Sequence, residues 1–290
     1  MLNVLVTGSN GQIGSEIKSL SQNYNYHFIF TTKESLDITC QEDIITFCHK
    51  NRVDIIINTA AYTAVEKAED DRDNANSVNH LAVKYLANIA KKKDISLIHI
   101  STDYVFDGNT HRPYMETDRT NPESVYGKTK LDGEKSMIAC NPNHSIVIRT
   151  SWVYSSFGNN FVKSMLKLGK RREELEVIFD QVGTPTYARD LAQTILEILA
   201  KLDNKDVEIY HYTNEGVLSW YDFAKEIINM AKIDCKIHPI ETKEYSSFTK
   251  RPKYSLLNKS KIKEKFNIDM PYWKDSLSDC LEKLERDDNE

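Results

Sequence analysis

The stretch "NVLVTGSNGQIG" (residues 3–14) decides the fold that the sequence predicts. A short apolar run ends in a turn that carries Gly8, Gly11 and Gly14, and the amphipathic segment "QIGSEIKSL" follows directly. A glycine in such a turn permits a positive φ, and further glycines let the backbone approach a pyrophosphate lying on the helix N-terminus. Isolated, the pattern is weak; between a strand and a helix it predicts a dinucleotide site.

The next 140 or so residues repeat the alternation of apolar strands and helices. The predicted strands are 3–7, 27–31, 54–59, 96–101 and 145–150, and the predicted helices include 42–50, 74–92 and one beginning near Asn121–Pro122. This order predicts an α/β fold, a doubly wound parallel sheet with right-handed crossovers. Such sheets bind ligands at the carboxyl ends of their strands.

After residue 150 the pattern loosens, with no Gly/Ser/Pro linker between the halves. We expect helices at 158–170, 188–202 and 219–232, the last capped by Ser219, strands at 176–179, 207–213 and 236–242, and a helical end. We therefore predict a dinucleotide-binding Rossmann domain over 1–150 and a smaller C-terminal α/β substrate lobe over 151–290, partly interleaved with the first.

Composition excludes several classes of function. Lys+Arg 38 against Asp+Glu 43 gives a net charge of -5, which argues against nucleic-acid binding. We expect no signal peptide and no membrane span, because no apolar stretch approaches about 20 residues. The five scattered cysteines are typical of free thiols in a reducing cytosol, so we expect a cytoplasmic protein.

A second segment, "SVYGKTKLDGEKS" (124–136), places Tyr126 and Lys130 four residues apart on a predicted helix. Both side chains would project from one helix face. An arbitrary Y-x-x-x-K is usually a surface pair. The sharper hypothesis is that Lys130 lowers the pKa of the phenol, which then serves as a general acid or base.

The spacing G-x-x-G-x-x-G together with Y-x-x-x-K resembles the extended short-chain dehydrogenase/reductase family. Longer segments resemble, in order, the signature segments of the dTDP-4-dehydrorhamnose reductases: "NTAAYTAVEKAE" (58–69), "ISTDYVFDG" (100–108), "NPESVYGKTKLDGE" (121–134), "RTSWVYSSFGNNFV" (149–162), "DQVGTPTYARDLA" (180–192) and "RPKYSLL" (251–257). The resemblance implies an NAD(P)-binding Rossmann fold with a nucleotide-sugar lobe. It also implies reduction of the 4-keto group of dTDP-4-dehydro-β-L-rhamnose to give dTDP-L-rhamnose for a surface polysaccharide.

Carried over residue by residue, the resemblance implies a catalytic triad of Thr102, Tyr126 and Lys130. Tyr126 would protonate the developing alkoxide, Lys130 would bind the nicotinamide ribose and stabilise the tyrosinate, and Thr102 would polarise the carbonyl. Implied substrate contacts are Thr102, Asp103, Tyr126, Trp152, Asn160 and Arg251, with Asn159, Asn160 and Arg251 the weaker candidates. Implied cofactor contacts are Gly8, Asn10, Gly11, Gln12, Ile13, Gly14, Thr31, Lys33, Asp37, Ile38, Ala60, Ala61, Tyr62, Tyr126 and Lys130.

The end of the second predicted strand bears on the choice of dinucleotide. Thr31, Thr32 and Lys33 would accept a 2′-phosphate, so NADPH is the first choice, while Glu34 leaves NADH open. Sugar-nucleotide dehydratases of this superfamily usually carry an acidic pair after the threonine. Here Asp103 is followed by Tyr104, which favours simple carbonyl reduction over water elimination.

Three points stay open at this level. Glu16 matches a position that holds Mg²⁺ at a dimer interface in some members of the family, but its partners are not identified; we expect a metal-free catalytic site, leave Mg²⁺ doubtful, and leave a homodimer open. The substrate could be another 4-keto nucleotide sugar. A non-catalytic dinucleotide-binding subunit, resembling the regulatory β subunit of methionine adenosyltransferase, is the rival from a different class.

Overall fold

A six-stranded parallel sheet forms the centre of the structure, a computed structural model that describes residues 1–245 and 249–287. The strands of the chain are β1 (Asn3–Thr7), β2 (His27–Thr31), β3 (Ile55–Asn58), β4 (Ser96–Thr102), β5 (Ile146–Thr150), β6 (Val153–Tyr154), β7 (Glu174–Ile178), β8 (Val182–Gly183), β9 (Thr186–Tyr187), β10 (Glu208–His211), β11 (Leu218–Ser219) and β12 (Lys236–Ile240). The central sheet has the order β10-β5-β4-β3-β1-β2. The predicted parallel, doubly wound α/β fold is confirmed.

The helices pack on both faces of this sheet and in the second half of the chain. They are α1 (Gln12–Leu20), α2 (Gln41–Lys50), α3 (Val65–Ala68), α4 (Arg72–Asn76), α5 (Ala82–Lys93), α6 (Val125–Cys140), α7 (Phe161–Gly169), α8 (Ala188–Ile198), α9 (Trp220–Met230), α10 (Ser260–Phe266) and α11 (Trp273–Asp287). None of the helices within the described ranges is long and apolar enough to span a membrane.

Alternate residues of the strands enter two separate cores, because side chains of a strand point to opposite faces in turn. On β1, Val4 and Val6 pack in one cluster with Leu191 and Ile195 of α8. Leu5 packs in the other cluster, which includes residues of α5. Strands covered on both faces explain the continuous apolar runs in the sequence.

The order in which strands are added along the chain changes side between β1 and β3. The chain leaves β1 for β2 on one side and returns to β3 on the other, so the crevice above β1 and β3 is the switch point at which open α/β sheets bind ligands. This places the glycine turn, the end of β3 and the end of β4 along one edge.

Residues beyond 150 contribute to both parts of the structure. Strand β10 pairs with β5 in the central sheet. A third core, with Tyr154, Tyr187, Phe223 and Trp273, is drawn from residues beyond 150 alone. The second half thus has its own core and also completes the sheet, while the boundary at residue 150 stays a prediction.

The start of α6 differs from the prediction. The helix begins at Val125 rather than near Asn121–Pro122, because the Ser124 hydroxyl accepts a hydrogen bond from the Gly127 N–H (3.1 Å) and caps the first turn. The Asn121 N–H instead donates to the Val105 carbonyl (2.9 Å), which holds this segment in the preceding loop.

The helix predicted over 74–92 is interrupted. Between α4 and α5 the chain forms a π-helical turn, Ser77–Leu81, a feature common at functional sites. The turn carries Asn79, whose amide bonds the Tyr62 N–H (2.9 Å), the Tyr62 carbonyl (3.1 Å) and the Thr129 hydroxyl (3.3 Å). It therefore ties the loop after β3 to α6.

Candidate active site

The glycine turn has the backbone that a dinucleotide site requires. Gly8 has φ +67, and a Cβ there would lie 2.7 Å from backbone atoms of Ala60. At Gly14 a Cβ would lie 2.5 Å from the Gly8 carbonyl oxygen. The two residues just before α1, Asn10 and Gly11, are exposed to solvent. A negatively charged group can therefore reach the helix N-terminus.

The predicted contacts at the end of β2 are spread over different environments. Thr31 is 2 % exposed and its hydroxyl donates to the Val6 carbonyl (3.3 Å), so that hydroxyl points into the protein. The Thr32 hydroxyl donates to the Glu34 carboxylate (2.6 Å), and Lys33 is exposed. Asp37 accepts hydrogen bonds from the backbone and hydroxyl of Thr39. Of the candidate 2′-phosphate contacts, Lys33 is therefore exposed to a ligand, whereas the Thr32 hydroxyl would first have to release Glu34.

Further contacts predicted for the cofactor lie around the same crevice. Gln12 accepts a hydrogen bond from Asn160 (3.1 Å) and donates to the Val153 carbonyl (3.4 Å). Ala61 is partly buried in the loop after β3, and the Tyr62 hydroxyl beside it donates to Asp71 (3.0 Å). Ile13 and Ile38 belong to the cores beneath the turn and beneath the end of β2.

The Thr–Tyr–Lys set comes together between the end of β4 and the first turns of α6. Thr102 is the last residue of β4, its hydroxyl donates to Asp103 Oδ1 (3.0 Å), and it lies close enough to Tyr126 to lower the pKa of that phenol. The Lys130 ammonium, one helical turn further on, donates to the Ile100 carbonyl (2.6 Å) and is 2 % exposed. The structure thus brings together the residues that the sequence singled out.

The electrostatics contradict one expectation. The pKa of Tyr126 is raised to about 12. Burial is the largest cause and the neighbouring Asp103 charge adds to it, while the Thr102 hydroxyl opposes the shift. Lys130 is not among the groups that shift this pKa, because burial lowers its own pKa to about 8 and its ammonium turns to the Ile100 carbonyl. The prediction that Lys130 lowers the phenol's pKa is therefore wrong for this structure, and Tyr126 is a protonated acid at neutral pH.

Asp103 lies beside this set. Its Oδ1 accepts from the Thr102 hydroxyl (3.0 Å), and no hydrogen-bond partner for Oδ2 is found in the described part of the chain. Burial raises the pKa of Asp103 to about 7, against hydrogen bonds from Thr102 and Ser255 that lower it. The free Oδ2 is an acceptor available to a ligand hydroxyl.

The aromatic candidate Trp152 is connected to Asp103 through close contacts. Trp152 has φ +50 and stacks on Trp220 with ring centroids 3.6 Å apart. A Cβ on Gly183 would lie 2.9 Å from the Trp152 ring and 2.6 Å from the Ser255 hydroxyl. Gly183 therefore leaves room for the indole and for the Ser255 hydroxyl, which lies close enough to Asp103 to lower the pKa of that carboxyl.

Asn160 and Arg251 are both engaged with other protein groups. The Asn160 side chain caps α7 by accepting from the Lys163 N–H (3.1 Å) and donates to the Ser155 carbonyl (2.7 Å). Arg251 forms an ion pair with Glu66 (2.9 Å). Asn159 is exposed. Sugar or diphosphate contacts from these residues stay predictions.

A cavity of about 430 Å³ lies beside Arg251. It is lined by Asp107, Asn109, Glu123, Ile178, Gln181, Thr242, Tyr245, Thr249, Lys250, Arg251 and Lys253. Three cationic side chains, those of Lys250, Arg251 and Lys253, line it together with the carboxylates of Asp107 and Glu123. Lys250 pairs with Glu123 (3.5 Å) and Arg251 with Glu66 (2.9 Å), so a diphosphate would have to compete with these pairs.

Glu16 does not fit a metal site. Its buried carboxylate accepts from the Ser155 hydroxyl (2.6 Å) and pairs with Lys283 (3.1 Å) and Arg189 (3.4 Å). Two cations already neutralise this single carboxylate, and within residues 1–245 and 249–287 no cluster of three or more His, Cys, Asp or Glu side chains suits a metal ion.

Sequence reasoning missed several residues of the site. Tyr104 places its ring edge to face against Tyr126, with centroids 5.5 Å apart, and the Ser255 hydroxyl lies close enough to Asp103 to lower the pKa of that carboxyl. In the sequence Tyr104 served only to argue against water elimination, and Ser255 was given no role. Glu134 of α6 and Arg149 of β5 form a buried ion pair (2.7 Å), and the only signal was an arginine within the apolar segment "SIVIRT".

A glycine turn at a parallel-sheet switch point, next to a threonine, a tyrosine and a lysine on the following strand and helix, defines a dinucleotide-dependent oxidoreductase of the short-chain dehydrogenase/reductase type. The model of the RmlD substrate binding domain family matches residues 2–286, and the chain belongs to this family. The resemblance found in the sequence is thereby confirmed.

Named relatives are similar over nearly the whole chain. The chain is 39% identical to a dTDP-4-dehydrorhamnose reductase of Aggregatibacter actinomycetemcomitans, covering 96% of this chain and 97% of that protein. Its structure is similar to that of a dTDP-4-dehydrorhamnose reductase from Clostridium acetobutylicum, with TM-score 0.93, 42% identity and coverage of 98% and 100%. A Bacillus anthracis dTDP-4-dehydrorhamnose reductase in complex with NADP gives TM-score 0.91, 36% identity and the same coverages, 98% and 100%.

Proposed function

We propose that this protein transfers hydride from NADPH to C4 of dTDP-4-dehydro-β-L-rhamnose, giving dTDP-L-rhamnose. The observation that carries the proposal is the placement of Thr102, at the end of β4, next to Tyr126 of α6, with buried Lys130 one helical turn further on, at the switch point that the glycine turn opens. Relatives named dTDP-4-dehydrorhamnose reductase across 96–98% of the chain supply the substrate class.

The residues present fit a dinucleotide. The positive φ of Gly8 and the close approach of Ala60 leave no room for a side chain where a pyrophosphate would lie, and Asn10 and Gly11, just before α1, are exposed. Gly8, Gly11 and Gly14 would hold the pyrophosphate, Thr32 and Lys33 the 2′-phosphate, and Lys130 the nicotinamide ribose. When bound, the dinucleotide supplies the hydride.

Tyr126 is the proton donor in this account. Its pKa of about 12 keeps the phenol protonated through neutral pH, which is the state that reduction requires. A positioned general acid contributes typically ~10²–10⁴-fold to a rate. The tyrosinate left behind is stabilised by the charged form of Lys130, which predominates below its pKa of about 8.

Thr102 orients the reacting oxygen. In the structure its hydroxyl donates to Asp103 (3.0 Å), so it must rotate to donate to a substrate carbonyl. Protonation of Asp103, whose pKa is about 7, weakens the competing acceptor. The Asp103 Oδ2 is then placed to bond a sugar hydroxyl, and the Trp152 face to cover the deoxy edge of the ring.

The proposal is tested by following NADPH oxidation against a panel of 4-keto nucleotide sugars. We expect turnover with dTDP-4-dehydro-β-L-rhamnose and kcat/KM at least tenfold lower for the other sugars. A different preferred sugar would contradict the substrate assignment while leaving the chemistry intact. NADPH binding without turnover of any sugar would favour the non-catalytic alternative, in which case retention of a methionine adenosyltransferase chain would be the next measurement.

A further inference from the structure

Three consecutive residues of β4 each meet a different residue of α6. The Ile100 carbonyl accepts from Lys130, the Ser101 hydroxyl donates to Glu134, and Thr102 lies next to Tyr126. The outer two of these contacts orient the proposed catalytic side chains. The middle one involves Glu134, to which the mechanism above gives no role.

Glu134 lies one helical turn beyond Lys130 and is 1 % exposed. Its carboxylate accepts three hydrogen bonds from Arg149, with Nε at 3.0 and 3.2 Å and Nη2 at 2.7 Å. Arg149 comes from β5, is itself buried, and lies over the Phe106 ring, 5.1 Å from its centroid. The carboxylate is thus fixed on two sides, by β4 and by β5.

The Glu134 carboxylate, one helical turn from Lys130, acts on the Lys130 ammonium through its negative charge. A charge about 6 Å away at an effective dielectric constant of about 20 shifts a pKa by roughly two units. The Glu134 charge raises the pKa of Lys130 against the lowering caused by burial. Arg149 stands behind the carboxylate and counteracts part of this effect.

Other ionisable groups on the surrounding elements do not take over this role. Burial and the Lys130 charge hold the pKa of His99 on β4 well below its usual range, so His99 is neutral. Other ionisable or charged groups that meet α6 or its partners include Asp103 and Tyr126 at the site, Glu69 at the helix N-terminus (2.9 Å to the Val125 N–H) and His80 beside Ser136 (3.1 Å). Glu116, whose carbonyl accepts from Arg149 (3.4 Å), and His211 lie on the Arg149 side.

We propose that Glu134 is a positioning residue for the reduction: its buried carboxylate, held by Ser101 and Arg149, keeps the Lys130 side chain cationic while the site works. This proposal rests on the proposed function, because the proposed function is what gives the Lys130 ammonium its role in the reaction. The bidentate Arg149 contact fixes the carboxylate's orientation, so the anion of Glu134 and the cation of Arg149 behind it act in opposite directions on the charge state of Lys130.

Substitutions of Glu134 and of Arg149 should shift the pKa of Lys130 in opposite directions, and this is what distinguishes the proposal from a packing role. Glu134→Gln removes the anion next to Lys130, and the alkaline limb of the kcat/KM pH profile should move down by about one to two units. Arg149→Met removes the cation that counteracts the Glu134 charge, so the alkaline limb should move up by about half a unit or more. If Glu134 and Arg149 contributed only to packing, both variants would be less stable and their alkaline limbs would not move in opposite directions.

Three further variants serve as controls. Arg149→Lys keeps the cation, and Ser101→Ala loosens the carboxylate without changing any charge; both should keep the limb within about 0.3 units of wild type. Glu134→Gln with Arg149→Met replaces the whole buried pair by neutral groups, which proteins often tolerate. Its limb should move down by at least half a unit, so it decides the matter if either single variant does not fold.

The pH dependence of NADPH affinity, followed by nucleotide fluorescence, is a second readout that needs no sugar substrate. The same directions of shift are expected there, because the cation is assigned to the nicotinamide ribose. If wild type binds NADPH but reduces no sugar, the proposed function fails while this readout still tests Glu134. Folded variants whose limbs stay unmoved, or move in one common direction, in both readouts would overturn the proposal.

Discussion

Removal of one oxygen, in Tyr126→Phe, tests the proposed proton donor. In the structure the neighbouring Thr102 hydroxyl is bonded to Asp103 Oδ1 (3.0 Å) and to the Tyr104 N–H (3.2 Å). The variant therefore leaves no buried group without a partner at Thr102, and the free energy of unfolding should fall by only about 0.5–1.5 kcal/mol. The loss of the general acid should lower kcat by ~10²–10⁴-fold, or about 3–5 kcal/mol of activation free energy.

The assay is steady-state NADPH oxidation with dTDP-4-dehydro-β-L-rhamnose, together with calorimetric binding of NADPH. We expect the dissociation constant of NADPH to stay within about threefold of wild type, because the proton is needed only as the alkoxide forms. The matched control is Tyr114→Phe, which removes a hydroxyl bonded to Asp107 (3.1 Å) in a separate buried cluster. A Tyr126→Phe protein that retains more than about a tenth of wild-type kcat would refute the assignment.

Three further predictions concern the neighbouring groups. Lys130→Met should raise the dissociation constant of NADPH as well as slow turnover, because Lys130 is assigned the ribose contact and the tyrosinate; an unchanged dissociation constant by calorimetry would remove the ribose contact. Lys33→Ala should weaken NADPH and leave NADH unaffected, since a charge-assisted phosphate contact is worth roughly 1.5–3 kcal/mol or about 10–100-fold, screened by salt; equal kcat/KM for the two cofactors at low salt in wild type would end the NADPH preference. Burial raises the pKa of Asp103 from 3.8 to about 7, so the folded state holds this proton more tightly and loses that stability as pH rises through about 7. Asp103→Asn should therefore gain thermal stability over wild type progressively between pH 4 and pH 8.5, up to about 1–4 kcal/mol; a gain that is the same at both ends of this range would contradict the assigned pKa.

The central sheet was predictable because its signals are local. The apolar run 3–7, the glycine turn and the helix beginning at Gln12 are contiguous, and their geometry is confirmed. Helix ends were less predictable because neighbouring signals compete. Pro122 favours a first turn, but the Ser124 hydroxyl accepts the Gly127 N–H and the helix begins at Val125.

The site was predictable in its residues and not in its electrostatics. Spacing places Tyr126 and Lys130 on one helix face, but it contains no information about how deeply each side chain is buried. Burial decides both pKa values, raising that of the phenol and lowering that of the ammonium. The pair of Glu134 with Arg149 joins residues on separate elements, so only the packed structure reveals it.

The most direct test of the central claim follows the hydride itself. The protein is incubated with dTDP-4-dehydro-β-L-rhamnose and NADPH deuterated at the transferable C4 position, and the product is analysed by mass spectrometry and NMR. The account predicts dTDP-L-rhamnose with a single deuteron at C4 of the sugar, formed in step with cofactor oxidation. A product without deuterium at that carbon, or recovery of unreduced keto sugar from protein that binds NADPH, would contradict it.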